Sequence, residues 1–378
     1  MKIAVIAEDV NKSAGQERVV AELVARLVVE HEVHVFCYEA RDIPPEVVVH
    51  RFRRPPVASF AVAALWIVVR SWLGVRPRRF DAVLSQGGNA LNQNFALVHI
   101  AQARRWQYTR DVYWQTTPPH RAERLLRGWW YRVTGYLEGR ALRRCGPGRA
   151  MAVSAALARE LSQTHGLPVD DIVVCENGVD HDRFRPDPHH LCRPRIRENL
   201  GLGDDDLLAL FLGGRWLEKG ATDSVQALAH CGRRVHLCLA GRDDAEPFRR
   251  QAEALGVAER LHFLPPTDRP WEYYLAADAF LFPGHPHEGF GLVAVEAAAC
   301  GLPVLMTRVG IAERLVQDGI SGYLITAEPL AIAARLDELA AYPELRRQMG
   351  EAAHQSSLQF SWDRQAAEIA AVLRQGRR

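Results

Sequence analysis

The chain has 378 residues, of which 48% are hydrophobic and 24% are charged, so it can bury a large core and is long enough for two domains. The 47 Lys and Arg residues nearly balance the 45 Asp and Glu residues, which argues against a globally basic nucleic-acid-binding protein and against a charged disordered chain. The charge is unevenly distributed, because residues 51–150 hold 18 Arg and four acidic residues, a net charge of +14 that should attract anions.

Apolar runs of strand length alternate with stretches of helical period in the first half of the chain. Residues 15–30 and 121–144 are the longest helical candidates. Strands are predicted at residues 3–7, 32–38, 47–51, 81–84, 95–100, 151–153 and 172–174. This alternation predicts a parallel sheet with helices on both of its faces.

The N-terminal segment and the cysteines both indicate a cytoplasmic protein. Residues 3–7 are typical of a core strand, and the acidic Glu8 and Asp9 that follow are not typical of a signal peptide. The seven cysteines show no CxxC pair and no closely spaced framework, so neither a disulfide scaffold nor a zinc ribbon is expected.

An apolar run at residues 57–69 is flanked on both sides by arginines. It is much shorter than the roughly 20 residues that cross a bilayer, so a transmembrane helix is excluded. The run is consistent with a buried helix, and equally with a segment at a lipid interface whose arginines meet anionic headgroups. Residues 51–79 are therefore a candidate segment for peripheral contact with the inner face of a membrane.

A loop rich in Pro, His, Asp and Arg divides the chain after Asn177. The boundaries predicted from this loop give an N-terminal domain of residues 1–185, a C-terminal domain of 186–360 and a last helix at 361–378. The strands predicted in the second domain are residues 207–212, 235–240, 261–264, 279–282 and 304–306. Two doubly wound domains that face each other would leave a cleft at the carboxyl ends of their strands, where such folds bind ligands.

The segment from Pro283 to Pro303 carries the strongest chemical signal. Gly289 and Gly291 follow a predicted strand and precede a predicted helix, a geometry that suits a phosphate or a sugar hydroxyl. On a continuous helix Glu288 and Glu296 would be about 12 Å apart, farther than a glycosidase acid–base pair. The two carboxylates are therefore expected to hold opposite ends of one long ligand, although an ordinary surface helix with two solvated Glu residues is the alternative.

This segment resembles the signature of the retaining glycosyltransferases of family 4, which have the GT-B fold of two facing Rossmann-like domains. Further matches are Asn177-Gly178-Val179-Asp180 at the linker, Gly214-Arg215 with Lys219-Gly220, and Asp318-Gly319 with Gly322-Tyr323-Leu324. The resemblance covers nearly the whole chain. It implies that Glu288 contacts the donor sugar and that Glu296 binds the ribose hydroxyls. It also implies that the donor is bound by Gly289 and by the backbone amides of Phe290, Gly291 and Leu292.

Arg215 and Lys219 are candidates for binding a diphosphate without any resemblance. They follow a predicted strand, and two cations there can neutralise a diphosphate leaving group, Arg as a fork and Lys as a point charge. The chain has only three lysines, Lys2, Lys12 and Lys219, so a lysine at this position is notable. The alternative is a surface pair of Glu218 and Lys219 at a helix start.

Two candidates lie in the N-terminal half. Gly15 opens a predicted helix but belongs to no G-x-G-x-x-G motif, which argues against a dinucleotide site. Gly15 is similar to the glycine-rich turn that faces the diphosphate in the family, with Ala14 in place of a second glycine. His99 ends a strand, where a lone histidine is more often a core residue. The resemblance implies instead that His99 orients a hydroxyl of the sugar or of the acceptor.

No metal ion or other cofactor is expected. Asp204-Asp205-Asp206 precedes a predicted strand, which favours a role in a turn or at a helix start. His189-His190 with Cys192, and His285 with His287, are candidate zinc ligands, but neither group has a companion pair at ligand spacing.

The sequence thus predicts a retaining, metal-independent glycosyltransferase that moves a hexose from a UDP- or GDP-sugar. Its acceptor, a glycan, a lipid-linked sugar or a small molecule, is not indicated. The alternatives are a sugar-nucleotide epimerase or phosphorolytic enzyme of similar form, and a protein that binds nucleotide sugars without turnover.

Overall fold

The computed structural model describes residues 1–13, 15–55, 60–114, 120–187 and 192–376. The chain forms two compact units, one made of Met1–Gly178 with Trp362–Arg378 and the other of Val179–Ser361. The sequence placed the corresponding divisions at 185/186 and 360/361. Ala14 and the first three residues of the apolar run 57–69, as well as His189 and His190, lie outside the described residues.

The first unit contains a seven-stranded parallel sheet of order β5-β3-β1-β6-β7-β8-β9, and β2 pairs separately with β4. The strands are β1 (Lys2–Ile6), β2 (Asp9–Val10), β3 (Glu32–Cys37), β4 (Glu39–Ala40), β5 (Val48–Arg51), β6 (Ala82–Gln86), β7 (Phe95–Val98), β8 (Ala150–Ala152) and β9 (Ile172–Val174). Central strands such as β1 and β7 are almost entirely apolar and buried, as expected where helices cover both faces of a sheet. The predicted strands are present, with ends that differ by up to two residues.

Five helices of the described chain follow these strands. They are α1 (Gly15–Leu27), α2 (Phe60–Gly74), α3 (Gln102–Tyr108), α4 (Arg121–Cys145) and α5 (Ala155–His165). The side chain of Ser154 accepts a hydrogen bond from the amide of Leu157 at the start of α5, and Gly166 ends this helix in a left-handed conformation. The predicted apolar run corresponds to α2, which continues five residues beyond it.

The second unit contains a six-stranded parallel sheet of order β12-β11-β10-β13-β14-β15. Its strands are β10 (Leu207–Leu212), β11 (Val235–Ala240), β12 (Leu261–Leu264), β13 (Ala279–Phe282), β14 (Val304–Met306) and β15 (Gly322–Leu324). Its helices are α6 (Arg193–Asn199), α7 (Ala221–Leu228), α8 (Glu246–Ala254), α9 (Trp271–Ala276), α10 (Leu292–Ala299), α11 (Ala312–Leu315), α12 (Pro329–Ala341) and α13 (Pro343–Ser357). One core joins β10 and β11 to α7, α8 and α12.

The last helix, α14 (Trp362–Gln375), belongs to the first unit. It packs against α1, where the guanidinium of Arg18 lies 5.9 Å from the centre of the Trp362 ring. The buried amide of Gln365 donates to the side chain of Asn177 over 2.7 Å. These contacts connect α14 to α1 and to the segment that follows β9.

Each sheet has a point where the strand order reverses. In the second unit β10 and β13 are neighbours, and Ala209 and Leu210 are in register with Ala279 and Phe280. The chain proceeds from β10 towards β12 on one side and from β13 towards β15 on the other. Ligands of open α/β sheets bind outside the carboxyl ends of the strands at such a point. The residues that follow β10 and β13 are therefore the first place to search for a site.

Candidate active site

The turn after β10 carries Arg215 in an unusual backbone conformation. Arg215 has φ of 58°, in the left-handed region that residues other than glycine rarely adopt. The neighbouring Trp216 is buried, and its indole donates to the carbonyl of Gly213 over 2.8 Å. The amide of Trp216 also donates to the carboxylate of Asp243, which follows β11. The turn is thus held from two sides while the Arg215 side chain stays 51% exposed.

Lys219 closes the same turn and points towards the residues that follow β13. Its ammonium lies 3.7 Å from Oε2 of Glu288 and 5.5 Å from the centre of the Phe282 ring. Its side chain is only 23% exposed. Gly220, with φ of 87°, follows it, and a Cβ there would lie 2.3 Å from the carbonyl oxygen of Pro283. Because Gly220 has no Cβ, the turn after β10 can approach the loop after β13 closely enough to bring Lys219 to Glu288.

The structure does not contain the continuous helix for which the separation of Glu288 and Glu296 was worked out. Glu288 lies in a turn in which its amide donates to the carbonyl of His285 over 3.0 Å. The helix begins only at Leu292, after Gly291 in the left-handed conformation with φ of 94°. Glu288 is therefore not on the helix that carries Glu296, and the helical separation of about 12 Å does not apply.

The loop that leads into α10 is firmly packed. Gly289, Phe290 and Gly291 are buried, and the carbonyl of Phe290 accepts from the amide of Ile311 over 2.9 Å. The first amides of a helix have no partner within the helix, so those at the start of α10 are suited to an anionic or hydroxyl ligand. The predicted group of Gly289 to Leu292 is thus placed beside Glu288.

Glu296 lies in the interior of α10 and is buried. The hydroxyl of Tyr274, itself completely buried, donates to Oε2 of Glu296 over 3.0 Å. This hydrogen bond fixes the direction of the carboxylate. A buried, oriented carboxylate can accept hydrogen bonds from a pair of ligand hydroxyls, and the role that the resemblance implies for Glu296 stays a prediction.

Two histidines of the loop after β13 lie near acidic residues of α7 and of the turn after β10. His285 Nε2 lies 3.8 Å from Asp223 Oδ2, and His287 Nε2 lies 3.7 Å from Glu218 Oε2. Burial lowers the pKa of His285 to about 4, so this ring is neutral near pH 7. Burial also raises the pKa of Asp223. With Lys219 and Glu288, these pairs surround the turn that follows β10 with titratable groups, the setting in which functional sites often occur.

The two predicted residues of the first unit lie at the carboxyl side of its sheet. Gly15 is exposed and starts α1. His99 follows β7 directly, is 8% exposed, and has no hydrogen-bond partner for its Nε2 in the described chain. Burial lowers the pKa of His99 to about 4, so its ring is neutral near pH 7. A neutral, buried ring with an unsatisfied nitrogen is suited to bind a hydroxyl.

Sequence reasoning missed Trp216, Asp243 and Tyr274, whose hydrogen bonds hold the turn after β10 and the carboxylate of Glu296. Asp243 had a detectable signal, because it follows a predicted strand of the same sheet. Tyr274 had none, because its contact with Glu296 joins two helices that are separated by a strand. The structure also places Glu8 in the short connection between β1 and β2. Burial, and then the charge of Asp9, raise its pKa to about 7.

Within the described residues, no three His, Cys, Asp or Glu side chains come together in an arrangement that could hold a metal ion. The three histidine- and aspartate-rich segments singled out in the sequence include His189 and His190, whose placement is not described.

Two family models match the chain. Residues 13–183 match Glycosyltransferase Family 4, and residues 193–356 match Glycosyl transferases group 1. Among similar proteins, a D-inositol 3-phosphate glycosyltransferase of Xylanimonas cellulosilytica is 38% identical over 228 residues. That alignment covers 58% of this chain and 54% of the relative, so the chain spans about half the length of the curated relatives it matches.

Solved glycosyltransferase structures are similar over nearly the whole chain. WaaG, a glycosyltransferase involved in lipopolysaccharide biosynthesis, has a TM-score of 0.77 at 18% identity and covers 98% of this chain and 99% of its own. Anabaena Alr3699/HepE in complex with UDP and glucose has a TM-score of 0.76 at 20% identity and covers 99% and 100%. The predicted fold class, GT-B with two Rossmann-like parallel-sheet domains, is confirmed.

Proposed function

The chain belongs to glycosyltransferase family 4, as its resemblance predicted, and on that premise we propose that it transfers a hexose from a nucleoside-diphosphate sugar with retention of configuration. The observation that carries this proposal is the pair Lys219 and Glu288 at the strand-order reversal of the second sheet. There a cation and a carboxylate lie 3.7 Å apart, and the loop that carries the carboxylate leads into the first amides of α10.

The proposed donor is a UDP- or GDP-hexose. Lys219 and Arg215 would neutralise the diphosphate, and Glu296, oriented by Tyr274, would accept hydrogen bonds from the ribose hydroxyls. Glu288 would contact the sugar, supported by Gly289 to Leu292. The Anabaena relative was solved with UDP and glucose and with UDP-glucose, which supports a uridine nucleotide as the first donor to test.

The proposed reaction breaks the bond between the anomeric carbon and the β-phosphate oxygen, and the electron pair of that bond leaves with the phosphate. The oxygen of the acceptor hydroxyl bonds to the anomeric carbon on the same face of the sugar, and the proton of that hydroxyl passes to the departing phosphate. Negative charge then grows on the departing phosphate, so a cation placed there stabilises the transition state more than the bound donor. Lys219 has this role, and the neutral ring of His99 would orient a sugar or acceptor hydroxyl. No protein nucleophile is required.

A donor panel tests the proposal directly. The purified protein is incubated with UDP- and GDP-hexoses, with and without acceptors, and released nucleotide and transferred sugar are measured. Inositol 3-phosphate belongs in the acceptor panel because similar proteins carry that substrate in their names. We expect nucleotide release that depends on an acceptor, with weaker donor binding in Glu296→Ala and slower turnover in Lys219→Ala.

The same panel separates the alternatives. An epimerase would convert or release the sugar without an acceptor, and a phosphorolytic enzyme would need inorganic phosphate. A protein that only binds nucleotide sugars would show donor affinity without any nucleotide release. Full activity of both the Lys219 and the Glu296 variants would contradict the assignment of the site.

We also propose that the first unit contacts an anionic lipid surface at the cytoplasmic face of a membrane. In the described chain no helix is long and apolar enough to cross a membrane. Helix α2, within the predicted segment 51–79, leaves Trp72 64% exposed together with Leu73 and Val69. An exposed tryptophan beside arginines is typical of a helix that lies in a lipid interface.

Helix α4 shows the same combination, which sequence reasoning did not single out. Leu125, Leu126, Trp129 and Tyr136 are exposed on it, and so are seven arginines. These arginines are Arg121, Arg124, Arg127, Arg132, Arg140, Arg143 and Arg144. Each cation near an anionic surface contributes about 1 kcal/mol to binding.

Cosedimentation with vesicles tests the lipid proposal. We expect binding to vesicles that contain phosphatidylglycerol and little binding to phosphatidylcholine alone. Replacing Trp72 and Trp129 by alanine should lower the bound fraction, whereas replacing Tyr342, exposed in the second unit, should not. Background binding of the unmodified protein to anionic vesicles would refute the proposal.

A further inference from the structure

A buried carboxylate in the first unit has no part in the function proposed above. Glu138 lies in the middle of α4 and is only 2% exposed. Its carboxylate accepts from the backbone amide of Gln102 over 3.1 Å and is 3.0 Å from Nε2 of His165. Burial raises the pKa of Glu138, while the contacts with His165 and Gln102 oppose that rise.

The backbone around this carboxylate is adapted to it. A Cβ on Gly139 would lie 2.7 Å from Nδ1 of His165, so a larger residue there would push the imidazole away from Glu138. A buried pair of polar side chains is a poor source of stability, because well-packed apolar residues of similar volume usually serve as well or better. The contact with Gln102 therefore points to a role in positioning.

Glu138 completes the start of α3. The residue before this helix is Ala101, whose side chain has no acceptor for the first amides. The carboxylate of Glu138 supplies that acceptor from another helix, at Gln102, the first residue of α3. His99 lies three residues earlier, so the hydrogen bond fixes the backbone that leads from His99 into α3.

We propose that Glu138 and His165 are positioning residues that hold the loop of residues 99–102 and thereby orient the ring of His99. The inference rests on the function proposed above, because the purpose of orienting His99 is to present its unsatisfied Nε2 to a substrate hydroxyl. Glu138 and His165 do not themselves touch the substrate.

A pair of variants at Gln102 isolates the critical hydrogen bond. Gln102→Pro removes the backbone N–H that donates a hydrogen bond to Glu138. Gln102 is the first residue of α3, a position at which helices tolerate proline. The preceding Ala101 already has ψ of 112°, the extended conformation that proline requires of its neighbour. Gln102→Ala removes the same side chain but keeps the amide and is the matched control.

The ring of His99 is the primary readout, because its NMR resonances report its orientation whether or not a substrate is known. We expect these resonances to move in Gln102→Pro and in Glu138→Leu, and to stay in place in Gln102→Ala. Glu138→Gln keeps an oxygen that can accept from the amide and should retain the original resonances. Unchanged His99 resonances in folded Gln102→Pro and Glu138→Leu would overturn the proposal.

Kinetics give a second readout that a general loss of structure would not produce. Turnover should fall about 10- to 100-fold in Gln102→Pro, while the affinity for the donor, measured by calorimetry, stays within about twofold. Equal losses of turnover and donor affinity would contradict a positioning role. If the unmodified protein transfers no sugar, the proposed function fails, and the His99 resonances still decide whether Glu138 positions the loop.

Discussion

Replacing Lys219 by methionine separates the charge of this residue from its packing. The ammonium lies 3.7 Å from Glu288, and the side chain passes over the ring of Phe282. Methionine retains most of the contact with Phe282 and removes the positive charge. The substitution therefore tests whether Lys219 stabilises negative charge at the carboxyl end of β13.

The expected magnitude follows from the distance. Two unit charges 3.7 Å apart attract by about 4.5 kcal/mol at an effective dielectric constant of 20. Desolvation offsets most of this attraction in the free protein, so the free energy of unfolding should change by only about 1 kcal/mol. A departing phosphate gains its charge during the reaction, and removal of one such stabilising group typically lowers kcat by about 10²- to 10³-fold.

The assay is steady-state release of nucleotide from the donor that the unmodified protein accepts, together with thermal unfolding. Lys2→Met is the matched control, because it also removes a Lys–Glu ion pair, 2.7 Å from Glu32, at the amino end of β1. Lys219→Arg should recover part of the rate since it keeps the charge. A kcat of Lys219→Met within about threefold of the unmodified protein would refute the reasoning.

Three further substitutions test the structure independently. Tyr274→Phe removes the hydrogen bond to Glu296, so we expect a loss of about 1.5 to 3 kcal/mol in urea unfolding and weaker nucleotide binding by calorimetry. The pKa of Glu8 rises from 4.5 to about 7 on folding, so the native state binds the extra proton and stability falls as the pH rises through that window. Glu8→Gln should flatten this slope in unfolding measured between pH 4.5 and 8, and should stabilise the protein by about 2 to 3 kcal/mol at pH 8; an unchanged slope would contradict it. Asp278→Ala removes the carboxylate that lies 2.8 Å from the buried Arg197 and should cost about 3 to 5 kcal/mol in urea unfolding. A loss below about 1 kcal/mol would show that the carbonyls of Gly203 and Asp206, which Arg197 also contacts, are sufficient for its charge.

The fold was predictable because its signals are local. The apolar runs that form β1, β10 and β13 are continuous and flanked by helical periods, and in parallel sheets buried on both faces such runs mark the central strands. The end of a helix depends on finer chemistry. The helical spacing considered for Glu288 and Glu296 does not apply, because Gly291 is left-handed and the helix begins only at Leu292, after the two glycines as the sequence predicts.

The charged residues of the site were predictable to the extent that they follow strands. Lys219 follows β10 and Glu288 follows β13. These two strands are far apart in the sequence but are neighbours in the sheet, and this adjacency brings the two side chains together as an ion pair. The hydrogen bond of Tyr274 to Glu296 depends instead on how two helices pack, which no spacing in the sequence encodes. The exposure of Trp129 on α4 was likewise hidden, because composition alone does not tell which face of a helix is covered.

The conformation of Arg215 shows why the supporting residues matter as much as the charges. A left-handed conformation costs a residue with a Cβ about 1 to 2 kcal/mol, and it persists only where the surroundings determine it. Here the buried indole of Trp216 and the carboxylate of Asp243 fix the next residue, so Arg215 must absorb the change of direction. A glycine would adopt this turn without strain, but it would carry no charge. The strain at Arg215 is therefore the cost of placing a guanidinium, rather than a bare backbone, at the carboxyl end of β10.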